Sequence, residues 1–424
     1  MSSHATLEAA PESLWRNHDF MRLWVANFIS NAGTHITRLA IPLTAALTLG
    51  ATPMQMGLLA MAGSLPNLLF GLVAGVWVDR VRRQPLMIAA DIGRALLLAS
   101  IPLAALMGSL TFIHLWVVAF VGGTLSIFFT IASVAVLPSI VKSEQLVDAN
   151  SKFALSDSVL SIAGPSGTGG IISLLGAPKA ILVDSCSYLV SAFSLRRVKV
   201  AETIAQPRVK RSTMWTEIWE GIQALIQTPL LLALTVSGAI GTVGFSIQGA
   251  VGILFLTREL GLGPALVGLV AACGGSGALL GAVVAGRTGR YTGVGMAVIL
   301  GNLLWVFGGL ITPFAGFGGI TLPYLVVGGI VASLGATVFS VNQMSLRQRL
   351  TPVSLLGRVT AARRFLLFSL APAGSAIGGL LGAGLGLRMT LIIGGLVGMV
   401  SVLVVLFSPV RSVYDLAGVA ISEP

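Results

Sequence analysis

The chain has 424 residues, of which 55% are hydrophobic and only 10% charged, with a formal net charge of +11. A soluble domain carries roughly a quarter charged residues, so this chain has too few polar side chains to cover a water-facing surface. Composition excludes a soluble globular protein and points to a polytopic helical membrane protein, in which 52 glycines suit close helix approach.

The positive charge does not predict a nucleic-acid partner, because Lys and Arg cluster in alternate short loops without interleaved aromatics. The two cysteines, Cys186 and Cys273, fall in separate apolar runs and suit neither a disulfide framework nor a metal site. No metal and no cofactor are expected. The polar start, with Glu8 and Glu12, lacks the pattern of a cleavable signal, so insertion is expected to rest on the first span.

Hydropathy and punctuation divide the chain in order. Residues 1–21 read as a cytoplasmic segment with a short interfacial helix near Leu14-Trp15-Arg16. Six spans follow at 22–48, 54–78, 85–107, 112–137, 153–173 and 178–195, giving a first bundle over 22–195. Residues 196–228 form a basic central connection, in which Trp215-Thr-Glu-Ile-Trp-Glu predicts an amphipathic helix at the interface. Six more spans at 229–256, 264–286, 291–314, 319–344, 360–384 and 387–408 give a second bundle over 229–408, and 409–424 is a tail. With the N-terminus inside, 21 basic residues fall in cytoplasmic segments and three, Lys179, Arg258 and Arg388, in outer loops. That bias sets the orientation and checks the span count, because a shift by one span would invert it.

The halves echo one another. Gly57-Leu-Leu-Ala-Met-Ala-Gly63 in the second span matches Gly268-Leu-Val-Ala-Ala-Cys-Gly274 in the eighth, and Asp79-Arg-Val-Arg-Arg83 is matched more weakly by Gly286-Arg-Thr-Gly-Arg290. Such repeats suit a transporter that rocks about a midplane site. The expected fold is all-α: twelve transmembrane helices in two pseudo-symmetric six-helix bundles.

Ionisable residues inside a membrane are costly and mark candidate sites. Asn27, Asn31, Thr34, His35 and Arg38 recur at helical spacing along the first span. The stripe reads as a substrate and proton path; the alternative is that Arg38 snorkels outward and His35 bonds a neighbouring helix. Asp91 and Arg94 are spaced to neutralise each other and brace the Asp79 loop, or to contribute to that path. Asp157 is the best lone carboxylate for carrying a proton, or else a partner for Arg94 or a serine such as Ser161. The second half has no carboxylate deep within a span, and Gln248, Asn342 and Gln343 are candidates to line the path there. Asp79 can accept from a helix N-terminus of the other half, while Arg80 and Arg83 can pair with acids or carbonyls.

The loop Asp79-Arg80-Val81-Arg82-Arg83, preceded by Gly71 and Gly75, resembles the loop between the second and third helices of the major facilitator superfamily. Leu137-Pro138-Ser-Ile-Val141, Glu144-Gln-Leu-Val-Asp-Ala-Asn150, Val183-Asp184 and Leu356-Gly357-Arg358-Val359 extend the likeness to its drug and siderophore exporter branch, similar to macrolide-efflux and enterobactin-exporter proteins. The resemblance implies export of a small amphipathic compound by proton antiport, from a bacterial inner membrane, by a monomer with both termini cytoplasmic. It implies that Asp79 with Arg80 and Arg83 latches the inner gate, and that Asp184 is structural. Gly164, Pro165, Gly169 and Gly170 resemble the exporters' antiporter motif, with Ser166-Gly167 and Thr168 departing from its spacing. The fourth span has no arginine, unlike that of many proton-coupled exporters. A lipid flippase or uptake carrier of the same fold is the alternative. A membrane-embedded enzyme is disfavoured, because no nucleophile–base cluster or phosphate-binding loop occurs.

Overall fold

A computed structural model of the chain describes residues 14–71, 73–78, 80–198 and 214–414. Asp79, the core of the predicted latch, and residues 199–213 of the basic central connection lie outside the described residues. Every regular element among the described residues is helical.

Helix α1 (His18–Leu43) starts on Asn17, whose side chain accepts from the Asp19 and Phe20 amides at 3.1 and 3.0 Å. It runs on through a wider turn to Thr48. Helix α2 (Pro53–Phe70) begins on a capping box of Thr52 and Gln55, then stops at Gly71. Helix α3 (Val73–Val78) continues that span towards residue 79. The second predicted span is thus described as two helical stretches, Pro53–Phe70 and Val73–Val78.

Helices α4 (Arg83–Leu106), α5 (Phe112–Val136), α6 (Leu146–Leu175) and α7 (Ala177–Arg196) complete the first bundle. Helix α8 (Met214–Gln227) precedes α9 (Pro229–Leu254), α10 (Pro264–Thr292), α11 (Val294–Ile311), α12 (Leu322–Leu350), α13 (Val353–Leu385) and α14 (Leu387–Leu406). Counting α2 with α3 as one span, twelve helical spans form two bundles joined through α8.

Helices α6 and α13 start at Leu146 and Val353 rather than at 153 and 360. Hydropathy marks only the part of a helix within hydrocarbon. The polar first turns of α6 are held by Asn150 on Leu146 O (2.9 Å) and by Lys152 on Asp148 (3.1 Å). Nine described helices are apolar and long enough to cross a bilayer on their own. The others fall short for visible reasons: α1 carries the polar stripe, α2 holds Gln55, Ser64, Pro66 and Asn67, and α7 holds Lys179, Asp184 and several serines.

The end of the bundle where α1 begins and α12 meets α13 carries most of the basic residues and is called the arginine-rich end below. The bundles meet through α2 with α13 and α9, and α6 with α10. Their closest glycine contacts lie toward the opposite, arginine-poor end. A Cβ on Gly57 would stand 2.6 Å from Gly379 Cα, and one on Gly268 would stand 2.6 Å from Pro165 O and 2.7 Å from Gly169 Cα. The two glycines paired by the sequence echo thus occupy matching contacts, backbone against backbone. Helix α8 rides on the second bundle, through Gly221 against Arg358 O and Glu220 paired with Arg358 at 2.6 Å.

Candidate functional site

The polar stripe of α1 divides between two neighbours. Asn27 donates to Ser133 Oγ of α5 at 3.1 Å and is structural. Asn31 donates to Asp157 Oδ1 of α6 at 3.0 Å. His35 packs where a Cβ on Gly164 would stand 2.9 Å from its ring. Arg38 is exposed and forms no ion pair among the described residues. Thr34 and Thr37 turn the other way, to the Tyr188 hydroxyl (2.9 Å) and to Asp184 Oδ2 of α7.

Behind them lies a buried charge cluster. Asp91 and Arg94, three residues apart on α4, form an ion pair with side chains 0% and 6% exposed. The Arg94 guanidinium sits 4.4 Å from the Phe129 ring centre and 4.1 Å from that of Tyr188, and donates to Ser126 Oγ at 3.4 Å. Aromatic faces on a desolvated cation add to the pairing with Asp91. Asp184 is fully buried and also accepts from Ser187 at 3.0 Å. The pair braces α4 against α5 and α7, within the bundle. Asp157 takes Asn31, not Arg94 or Ser161, as its partner.

Gly33 makes room for this cluster, because a Cβ there would run into the Asp184 carboxylate and the Ser187 hydroxyl. We expect Gly33→Val to cost about 1–3 kcal/mol or more by overpacking. Thermal unfolding in detergent checks this against Gly63→Val, where no atom lies within 4 Å of the new Cβ.

A cavity of about 270 Å³ opens between α1, α2, α4, α5 and α7, with Gly249, Ala250 and Ile253 of α9 as its far wall. Arg38, Arg94, Thr37 and Tyr188 are among its polar lining, and Met56, Leu59, Val118 and Ile253 among its apolar lining. The structure brings Arg38 and Arg94 together there, while Asn31, His35 and Asp157 run along the α1–α6 seam beside it. An apolar chamber with a few convergent polar groups suits a small amphipathic ligand. Tyr188 and Thr37 were missed as lining residues. The helical spacing of Asp184, Ser187, Tyr188 and Ser191 carried the signal.

In the antiporter-like stretch α6 stays helical through Pro165. Gly164 admits His35, Gly169 admits Gly268, and Gly170 faces open space. In the second half, Gln248 lines a cavity of about 200 Å³ with Phe245 and Trp305, its amide on Leu391 O at 2.9 Å. Asn342 and Gln343 do not line it. Both are buried cross-braces, Asn342 on Ala285 O (3.1 Å) and Gln343 on Leu234 O (3.2 Å), because that face of α12 packs against α10 and α9. In the predicted gating loop Arg80 is exposed, and Arg83 donates to Ala135 O of α5 at 3.1 Å. Gly71 ends α2 against Asn67 O, and Gly75 has no atom within 4 Å of a built Cβ.

Two six-helix bundles around a chamber holding intramembrane charges define a secondary carrier. A profile of the transmembrane secretion effector family of the major facilitator superfamily matches residues 9–422, and the chain belongs to that family. It is 28% identical over 390 residues to an uncharacterized MFS-type transporter of Bacillus subtilis, covering 90% of this chain and 91% of that protein. It is 22% identical over 383 residues to macrolide efflux protein A of Streptococcus pyogenes, covering 89% and 92%. Among solved structures it is similar to a bacterial homologue of the iron transporter ferroportin in its inward-facing state, with a TM-score of 0.74 and 18% identity over 93% of this chain and 99% of that one.

Proposed function

We propose that this transporter exports a small amphipathic compound, of drug, antibiotic or siderophore type, in exchange for protons and by alternating access. The observation that carries the proposal is the chamber of the first bundle walled by α9, mostly apolar and bearing Arg38 and Arg94, with the Asn31–Asp157 pair on the neighbouring seam. Contact between the halves toward the arginine-poor end supports a rocking motion of residues 22–195 against 229–408, tethered by 196–228. The positive-inside bias supports a cytoplasmic arginine-rich end with both termini on that side. Likeness to a macrolide efflux protein supports export.

Asp157 is the proposed proton carrier. Asp91 is held in an ion pair and Asp184 by two hydroxyls, whereas Asp157 is exposed and bonded to a neutral amide. Asp79, with Arg80 and Arg83, is the proposed latch of the inner gate in the outward-facing state.

Uptake into inverted vesicles, with and without a pH gradient, over a panel of drugs and siderophores tests the function. Gradient-driven accumulation should fall roughly tenfold or more in Asp157→Asn, as for loss of an essential proton-transfer group. Unchanged accumulation would remove Asp157 as the carrier. Transport indifferent to the gradient in the wild type would replace antiport with a flippase mechanism.

A further inference from the structure

Residues 229–414 contain a single acid, Glu259, and it is bonded to Arg388 (2.8 Å) at the arginine-poor end. Two arginines toward the other end of this half are nevertheless drawn out of water. Arg347 of α12 is 6% exposed; its Nη2 meets the Met344 sulfur at 2.7 Å, and its Nε is buried without a partner. Arg363 of α13 donates from Nη2 to Gln343 Oε1 at 2.8 Å, and its Nε is likewise buried and unpartnered.

Gln343 is itself 4% exposed and fixed on Leu234 O, so it presents its oxygen to Arg363 at a set position. Residues 343 and 347 stand one turn apart on one face of α12, about 6 Å. The two guanidinium groups are near enough for their charges to act on one another. Of the other cations on α13, Arg358 has its own acid in Glu220 of α8, and Arg364 lies over the Phe368 ring. Among the described residues nothing negative answers Arg347 or Arg363.

Two buried like charges are held only at a cost, and a counter-anion relieves both the desolvation and the repulsion. Guanidinium forks match carboxylate and phosphate oxygens. One turn from Gln343 on the same helix, Phe339 stands 6.0 Å from Trp305, which stands 6.2 Å from Phe245 at the 200 Å³ cavity. Polar fork and aromatic row thus lie in line along the second bundle. None of these residues borders the Arg38–Arg94 chamber.

We infer that Arg347 and Arg363, the latter positioned by Gln343, form an anion-binding site in the C-terminal half. It takes the carboxylate or phosphate head of an amphipathic anion, whose apolar body lies along Phe339, Trp305 and Phe245. The head group can come from a solute or from a lipid. The inference is independent of the direction and coupling of transport.

The full-length protein in phosphatidylcholine nanodiscs is titrated with dodecyl phosphate, dodecanoate, dodecyltrimethylammonium and inorganic phosphate, and Kd is read from tryptophan fluorescence with thermal unfolding alongside. Both alkyl anions are expected to bind roughly tenfold or more tighter than the alkyl cation. Arg363→Gln and Arg347→Gln should each erase that preference, Arg363→Lys should keep most of it, and Arg364→Gln should leave it whole. Loss of dodecyl phosphate binding in phosphatidylglycerol nanodiscs assigns the site to a lipid head group; persistence assigns it to a solute, and inorganic phosphate competition then shows whether the head alone suffices. Equal wild-type affinity for alkyl anion and alkyl cation overturns the site, even if every variant misfolds. So does wild-type anion affinity in folded Arg347→Gln and Arg363→Gln.

Discussion

Arg94→Met should be the most damaging single change to the stability of the first bundle. It strands Asp91, which is wholly buried, bonded to Arg94 through one oxygen and unpartnered at the other among the described residues. It also strips the cation from the faces of Phe129 and Tyr188. Removing one member of a buried ion pair costs about 3–5 kcal/mol, mostly from the charge left behind. The double change Asp91→Asn with Arg94→Gln removes that charge and should recover more than half of the loss, which separates pairing from packing. Thermal unfolding of the purified protein in detergent measures both. Equal unfolding temperatures for Arg94→Met and wild type would show that the pair contributes nothing to stability.

Gly268→Leu should leave the protein folded but unable to close its arginine-poor end. The added Cβ meets Pro165 O at 2.6 Å and Gly169 Cα at 2.7 Å, and these are backbone atoms that cannot rotate aside. Gly57→Leu makes the matching intrusion against Gly379 Cα and Ser375 O, at 2.6 and 2.7 Å. Either change wedges the halves apart where they must meet, so transport should drop by roughly tenfold or more, as closed interfaces have discrete packings rather than a graded range. The readout is maleimide labelling of Ile253→Cys, inside the chamber, in a background with Cys186 and Cys273 replaced by Ala. The engineered thiol should be protected from the arginine-poor side with Gly268 intact and reactive in the Gly268→Leu variant. Gly384→Leu, near the same end of α13 but in open space and lining neither cavity, is the control. Continued protection in both wedge variants would mean that these contacts do not seal the chamber.

Much of the architecture is legible from residue order, because its causes are local. Twenty apolar residues cross a bilayer wherever they sit, basic loops report their side, and Gly57 and Gly268 announce a repeat by position. Helical period likewise placed Asn31, His35 and Arg38 on one face of α1 and Asp91 beside Arg94. The helices begin ahead of the apolar runs that mark the expected spans, as at Leu146 and Val353.

Period fixes which residues share a face, but not what that face meets. Asn27 and Asn31 are equivalent on the α1 stripe, yet one is spent on Ser133 and the other on Asp157. Asn342 and Gln343 look like pore-lining amides, and the packing of α12 turns both into braces. Arg363 counts in the sequence as one more cytoplasmic charge, whereas in the bundle it reaches Gln343 and stands without an acid among the described residues. Residue order alone shows a chain that crosses a membrane many times, in two related halves, with charges held inside the first. Which charges neutralise one another follows from helix packing, because helix–helix distance sets electrostatic partnership, and sequence spacing constrains it only within a helix.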